Sequence, residues 1–165
     1  MTLKLRLAKK SDISSIINVM NKVGYIKFRF KNMSLNKVQA TIQSEFPSRS
    51  FLICTEKKKV IGYAIFGSAE AFLMCPFEVE KKGFAYHLGI GVDPDYQGKG
   101  VGLLLTEFML KVIRAEGFKG IYSDVGSNNV ASLKLQKKMG FVEIKRYRDS
   151  KRTKETYNVL FKKEF

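Results

Sequence analysis

Apolar and polar residues alternate along this chain with two distinct periods, which predict its strands and helices. Leu3, Leu5 and Leu7 alternate with charged residues, as in a half-buried strand. Apolar residues recur three and four positions apart after Ser11 and again after Ser34, and each serine can cap the helix that follows it. Further strands are predicted at residues 51–55, 60–66, 85–92, 121–125, 142–147 and 156–162. The polar residues 56–59 predict a hairpin turn between the first two of these strands.

Glycines and one asparagine mark two more helices and a break in a strand. A helix is predicted after Gly102 and runs to about residue 116, where a glycine follows. Its buried face is expected to consist of Val101, Leu105, Phe108 and Val112. Asn129 can cap the next helix. Gly89 and Gly91 fall inside the strand before the first of these helices, where glycine marks a bulge or the close approach of another group.

The order of these elements is β-α-α-β-β-β-α-β-α-β-β, which predicts a single α/β domain over residues 1–165. No proline-rich or serine-rich linker and no internal repeat divides the chain. The sheet is expected to be mixed and largely antiparallel, with about seven strands flanked by about four helices. Residues 69–84 show no clear period and are expected to be irregular.

The composition narrows the class of protein. The chain has 165 residues, of which 45% are hydrophobic and 12% aromatic, so it can bury a core and is not intrinsically disordered. No apolar run approaches the ~18–20 residues of a transmembrane helix, and the first residues lack the apolar stretch of a secretory signal. Cys54 and Cys75 are too few for a disulfide scaffold or a zinc site. We therefore expect a cytoplasmic protein with free thiols and no metal.

The charge of the chain is strongly positive but spread out. The sequence has 30 Lys and Arg residues against 15 Asp and Glu residues, a net charge of +15. Dense basic runs occur at residues 57–59 and 145–154, whereas nucleic-acid-binding arms more often form one continuous block. Few aromatic residues that could stack on bases accompany these runs. The charge therefore favours a solvated lysine-rich surface over a nucleic-acid-binding protein.

A glycine-rich loop between a strand and a helix carries the clearest chemical signal. Gly98, Gly100 and Gly102 precede the helix, so main-chain N–H groups can point into one concavity without a Cβ to block an anion. The positive end of the helix dipole adds to that attraction. The spacing of the glycines excludes both the G-x-x-x-x-G-K-[ST] loop and the Rossmann G-x-G-x-x-G motif.

Two sequence motifs lie at and after this loop. The first is Val92-x-Pro94-x-Tyr96-Gln97-x-x-Gly100-x-Gly102, and the second is Asn129-Val130-Ala131-Ser132 followed by Lys138-Met139-Gly140-Phe141. With these motifs the chain resembles the GNAT superfamily of N-acetyltransferases. The first motif is similar to the end of a family strand and the pyrophosphate loop after it, and the second is similar to the next helix of the family. The motifs occur in the family's order, about 30 residues apart. The order of predicted elements also agrees over essentially the whole chain.

The resemblance implies an acetyl-CoA site without a metal. It implies that the CoA pyrophosphate is held by the N–H groups of a loop formed by Gln97, Gly98, Lys99, Gly100, Val101 and Gly102. It also implies that the backbone of Ile90, Gly91 and Val92 pairs with the pantetheine arm and polarises the thioester carbonyl. Further cofactor contacts are expected from Asn129, Ser132 and Gln136.

The reaction that the resemblance implies is direct attack of a neutral primary amine on the thioester. Tyr86 aligns with the usual glutamate base, and regular strand alternation puts the neighbouring His87 on the opposite face. Gln136 stands where the family often has a tyrosine that protonates the leaving thiolate, and an amide cannot supply that proton. Tyr122 or a water is the expected substitute. The candidate catalytic residues are therefore Tyr86, His87 and Tyr122.

Three classes of function stay open at this point. The favoured one is an N-acetyltransferase that acts on a small-molecule amine or a protein N-terminus. The alternatives are a non-catalytic acyl-CoA-binding domain, suggested by Gln136, and a basic nucleic-acid-binding protein. Glu70, Glu78 and Glu80 could bind a cationic acceptor, although ordinary surface charge is the simpler interpretation. No membrane partner is expected, and an exposed edge strand near the C-terminus would permit a homodimer.

Overall fold

The structure is a computed structural model that describes residues 2–148 and 156–165. Part of the basic run at residues 145–154 lies outside these described residues. The strands are β1 (Leu3–Leu7), β2 (Arg49–Glu56), β3 (Lys59–Ser68), β4 (Phe84–Val92), β5 (Gly120–Gly126), β6 (Val142–Tyr147) and β7 (Asn158–Glu164). The helices are α1 (Ile13–Lys22), α2 (Tyr25–Arg29), α3 (Leu35–Glu45), α4 (Ala69–Phe72), α5 (Val101–Ala115) and α6 (Val130–Lys138), with 3₁₀ turns at Lys10–Asp12 and Pro94–Tyr96.

The strands form a seven-stranded sheet in the order β1-β2-β3-β4-β5-β7-β6. β1 is antiparallel to β2, and β7 is antiparallel to both β5 and β6. β4 and β5 are parallel, with a register from Phe84↔Gly120 to His87↔Ser123, and a parallel pair needs a crossover such as α5. The prediction of a mixed, largely antiparallel sheet is confirmed.

The chain divides into two compact units. The N-terminal unit comprises Met1–Phe66 and Gly89–Met109, and its core consists of buried apolar side chains from α1, α3, β2 and β3. The C-terminal unit comprises Gly67–Leu88 and Leu110–Phe165. Its core contains a cluster formed by Ala69, Leu73, Phe84, Tyr122 and Leu160. The prediction of one domain over the whole chain stays a prediction.

The start of α1 differs from the sequence-based expectation. Ser34 caps α3 as predicted, since its hydroxyl accepts the N–H of Lys37. Ser11, however, lies inside the 3₁₀ turn, and α1 begins at Ile13. The reason is Asp12, whose carboxylate accepts the N–H of Lys9 at 2.7 Å and two hydrogen bonds from Arg6 at 2.7 and 2.8 Å. These bonds hold the chain in a tighter turn before the helix starts.

The buried face of α5 is rotated from the predicted one. Met109 and Ile113 are fully buried, whereas the predicted Phe108 and Val112 are only half-buried. The buried positions Val101, Leu105, Met109 and Ile113 are four residues apart.

Two short helices, α2 and α4, were not predicted because one turn is too short to show a period. No helix in the described parts of the chain is long and apolar enough to span a membrane.

Candidate functional site

The glycine loop is open where a ligand could approach. Gly98 and Gly100 have φ angles of +73° and +80°, and a Cβ on either residue would meet no atom within 4 Å. The first helical bond of α5 runs from the N–H of Leu104 to the carbonyl of Gly100 at 3.1 Å. The amides of the three residues before Leu104 therefore point out of the N-terminus of the helix. Open space, turned peptides and a helix N-terminus together suit a diphosphate.

Two side chains of the loop hold its conformation from within. Gln97 donates its side-chain amide to the carbonyl of Val92 at 3.0 Å, and its main-chain N–H donates to Pro94 at 3.3 Å. Lys99 donates to the carbonyl of Asp95 at 2.8 Å. These bonds fix the path of the peptide that is predicted to bind the pyrophosphate.

Aromatic rings lie so close to the two glycines inside β4 that a Cβ at either position would crowd them. A Cβ on Gly91 would lie 2.5 Å from the ring of Tyr63, and one on Gly89 would lie 3.0 Å from the ring of Tyr25. The rings contact each other edge to face, with centroids 6.0 Å apart. Burial raises the pKa of the Tyr63 phenol well above its usual range. Of the two explanations that the sequence left open, the close approach of another group is therefore confirmed.

A carboxylate that the sequence analysis did not select lies among aromatic residues of the C-terminal unit. Asp124 on β5 accepts a hydrogen bond from the hydroxyl of Tyr86 at 3.0 Å and another from that of Tyr147 at 2.7 Å. Burial first, and then the bond to Asp124, raise the pKa of Tyr147. The parallel register pairs Tyr86 with Tyr122, so the residue two positions further along β5 shares their face. A sequence analysis that assumed the parallel pairing of β4 with β5 in this register could have identified Asp124 as a neighbour of Tyr86.

A second cluster joins two of the predicted residues through Ser123. Ser123 Oγ lies 3.2 Å from Nδ1 of His87 and accepts a hydrogen bond from Nε2 of Gln136 at 3.0 Å. All three side chains are buried. His87 contacts Ser123 whereas Tyr86 packs with Tyr122, so these adjacent residues face opposite ways, as predicted.

Gln136 also carries an unused acceptor. Its Oε1 atom is buried and has no hydrogen-bond partner among the described residues. A buried acceptor without a partner is costly, roughly 1–3 kcal/mol, unless a ligand supplies the donor. An amide N–H of a pantetheine arm is such a donor, so the residue present here fits the predicted cosubstrate.

The remaining predicted residues have clear structural contacts. Tyr122 is 2% exposed, and its hydroxyl donates to the main-chain carbonyl of Glu80 at 2.8 Å. Burial raises the pKa of its phenol. Its role as a proton donor stays a prediction, and the structure gives it a packing role in the core.

Asn129 accepts the N–H of Ser132 at 3.1 Å, which confirms that it caps α6. Cys54 and Cys75 are free thiols.

Comparison with known proteins agrees with this fold. The family model described as Acetyltransferase (GNAT) family matches residues 21–141, and the chain belongs to that family. It is an acyltransferase. The L-amino acid N-acyltransferase MnaT of Escherichia coli is 27% identical over 146 residues, which are 85% of this chain and 80% of that relative.

Two solved structures show how well the fold is shared. An N-acetyltransferase from Staphylococcus aureus superposes with a TM-score of 0.80 at 20% identity, over 99% of each chain. The structure of yncA from Salmonella typhimurium, described with its cofactor acetyl-CoA, has a TM-score of 0.76 at 18% identity and covers 99% of this chain and 94% of that one. At these identities the likeness concerns the fold.

Proposed function

We propose that this protein is an acetyl-CoA-dependent N-acetyltransferase that transfers the acetyl group to a primary amine by direct attack. The observation that carries the proposal is the open loop at Gly98 and Gly100, at the N-terminus of α5, in a member of the acetyltransferase family. Backbone amides fixed there attract a diphosphate without a metal.

The chain offers three sets of groups to the cosubstrate. The loop amides of residues 97–102 bind the pyrophosphate, and the backbone of Ile90, Gly91 and Val92 binds the pantetheine arm. Asn129, Ser132 and the buried Oε1 of Gln136 contribute further contacts. When bound, acetyl-CoA supplies an activated acetyl thioester whose thiolate is a good leaving group. Backbone donors near the thioester carbonyl contribute roughly 3–4 kcal/mol to such reactions.

The acceptor amine is bound by the carboxylate of Asp124. The hydroxyls of Tyr86 and Tyr147 fix both of its oxygen atoms, and a fixed carboxylate attracts an ammonium group. This assigns Tyr86 to positioning the carboxylate. His87, held through Ser123, is the candidate base for the proton that the amine must lose before it attacks.

The α-amine of a free amino acid is the acceptor class that we favour. The name of the relative MnaT, an L-amino acid N-acyltransferase, supports it. The net charge of +15 disfavours polycations such as polyamines. An N-terminal amine of a protein is the alternative acceptor.

Calorimetry and a thiol-release assay test the proposal together. We expect acetyl-CoA to bind the wild-type protein, and Gly100→Ala to weaken that binding because a Cβ is strained at a φ of +80°. CoA should be released with amino acids in a panel that also contains a peptide with a free N-terminus and spermidine. Binding without turnover of any amine would point instead to a non-catalytic acyl-CoA-binding domain. The absence of binding would overturn the proposal.

A further inference from the structure

Asp93 is a buried carboxylate at the start of the segment that leads into the glycine loop. It follows β4 directly, and its side chain is 2% exposed. Its main-chain N–H donates to the carbonyl of Ile61 on β3 at 2.8 Å. Its Oδ1 accepts the N–H of Asp95 at 3.2 Å, which caps the turn Pro94–Tyr96. A negative charge is therefore held in one place just before a loop that is proposed to bind an anion.

Two lysines of the same unit face this carboxylate. Nζ of Lys22, the last residue of α1, lies 2.9 Å from Oδ2 of Asp93, and Nζ of Lys59 lies 3.6 Å from the same oxygen. The hydrogen bond from Lys22 is the main reason that the pKa of Asp93 is below its usual value. Asp93 is therefore ionised at neutral pH, and the two ammonium groups together exceed its single negative charge.

The two lysines are not equivalent. Nζ of Lys59 also lies over the ring of Tyr96, 5.3 Å from its centroid, and the hydroxyl of Tyr96 donates to Glu56 at 2.9 Å. Lys59 is thus shared between Asp93 and an aromatic ring beside a second carboxylate. Lys22 makes the shorter, hydrogen-bonded ion pair with Asp93, from a helix that contains neither sequence motif.

We propose that Lys22 is a positioning residue for the cosubstrate loop, because it neutralises Asp93 and holds it against the end of α1. The inference rests on the proposed function. Without Lys22 the buried carboxylate keeps, of these two lysine contacts, only the longer one with Lys59, so the region before the loop loses one positive charge. It then attracts a diphosphate in the following loop less strongly, since charges interact over a Debye length of about 8–10 Å. The residue therefore acts on cosubstrate affinity through Asp93 and does not touch the reacting atoms.

A pair of substitutions separates charge from packing. Lys22→Met keeps the aliphatic stem and should raise the Kd and KM for acetyl-CoA about 5- to 10-fold, with kcat at saturation little changed. Asp93→Asn in the same chain restores the net charge that the Lys22–Asp93 pair has in the wild-type protein, and it can still cap the turn because asparagine is also a good cap. The double variant should therefore bind acetyl-CoA within about twofold of the wild-type protein. If Lys22 acted on stability alone, Lys22→Met would lower Tm and leave the Kd for acetyl-CoA of the folded protein unchanged.

The matched control is Lys37→Met. Lys37 is an exposed residue of α3, so the change removes the same unit of charge from the same unit of the fold. Its acetyl-CoA affinity should equal that of the wild-type protein. Thermal unfolding of every variant checks that the fold is retained.

Calorimetry with acetyl-CoA at low salt and at 0.3 M salt decides the outcome. The loss in Lys22→Met should shrink at high salt, because salt screens the interaction between these charges. Wild-type affinity in Lys22→Met would overturn the inference and leave the proposed function standing, as would a double variant no tighter than the single one. A wild-type protein that binds no acetyl-CoA would overturn the proposed function, and the inference with it.

Discussion

Replacing Gly91 by alanine tests the close packing of β4 against an aromatic ring. The new Cβ would lie 2.5 Å from Cε1 and 2.8 Å from Cζ of Tyr63, closer than carbon atoms can approach. Tyr63 is 0% exposed and packs edge to face on Tyr25, so its ring has no free space to move into. Gly91 has no positive φ, so the backbone itself accepts alanine. The cost is therefore steric.

Overpacking of this kind costs about 1–3 kcal/mol, and the absence of a flexible neighbour places Gly91→Ala in the upper half of that range. For a chain of this size each kcal/mol lowers Tm by about 2–4 °C, so we expect Tm to fall by about 4–12 °C. Gly102→Ala is the control. Its Cβ would meet nothing closer than Val92 Cγ2 at 3.9 Å, so the change should be neutral or stabilising by up to about 1 kcal/mol.

Urea and thermal unfolding of the two variants measure the difference. Adding Tyr63→Leu to Gly91→Ala should restore part of the lost stability. The free energy of unfolding of the double variant should therefore be higher than the value obtained by adding the two single effects. Gly91→Ala within about 0.5 kcal/mol of the wild-type protein would refute the reasoning, because the ring would then not be held against the strand.

Three further predictions concern the C-terminal unit and the first turn of the chain. Asp124→Asn should raise the acceptor KM by about tenfold or more, since a hydrogen bond to a charged group contributes roughly 1.5–3 kcal/mol. The same change should leave acetyl-CoA affinity unchanged. An unchanged acceptor KM in steady-state kinetics would contradict this role. Gln136→Ala should keep kcat within about tenfold, because an amide cannot act as a general acid, whereas a loss of about 10⁴-fold would show that the position is required. Arg6 lowers the pKa of Asp12 below its ordinary value of 3.8. The contribution of this pair to stability is therefore full above that value and is lost as the pH falls through the lower folded-state pKa. Thermal unfolding of wild-type and Asp12→Asn proteins should differ at pH 7 and converge as the pH falls below the folded-state pKa of Asp12, and a difference that does not change with pH would count against the ion pair.

Local patterns were enough to predict most of the elements and the loop. β6 begins and ends at the predicted residues, and Ser34 and Asn129 cap their helices as expected. These features depend on residues a few positions apart, so their physical cause is contained in a short segment. The same holds for the glycine loop, whose open conformation follows from residues that accept a positive φ. Ser11 is the exception, because a carboxylate from the next residue formed stronger bonds.

The partners of the site residues were decided by the tertiary structure. Tyr86 meets Asp124 across 38 positions of sequence, and Lys22 meets Asp93 across 71. No periodicity connects such residues. Their contact depends on which strands pair, in which direction and in which register. The sequence by itself therefore determined most of the elements, the family resemblance and the glycine loop that is proposed to bind an anion. Only the folded chain decided which carboxylates are buried and which side chains hold them, because burial and charge pairing arise from segments distant in sequence.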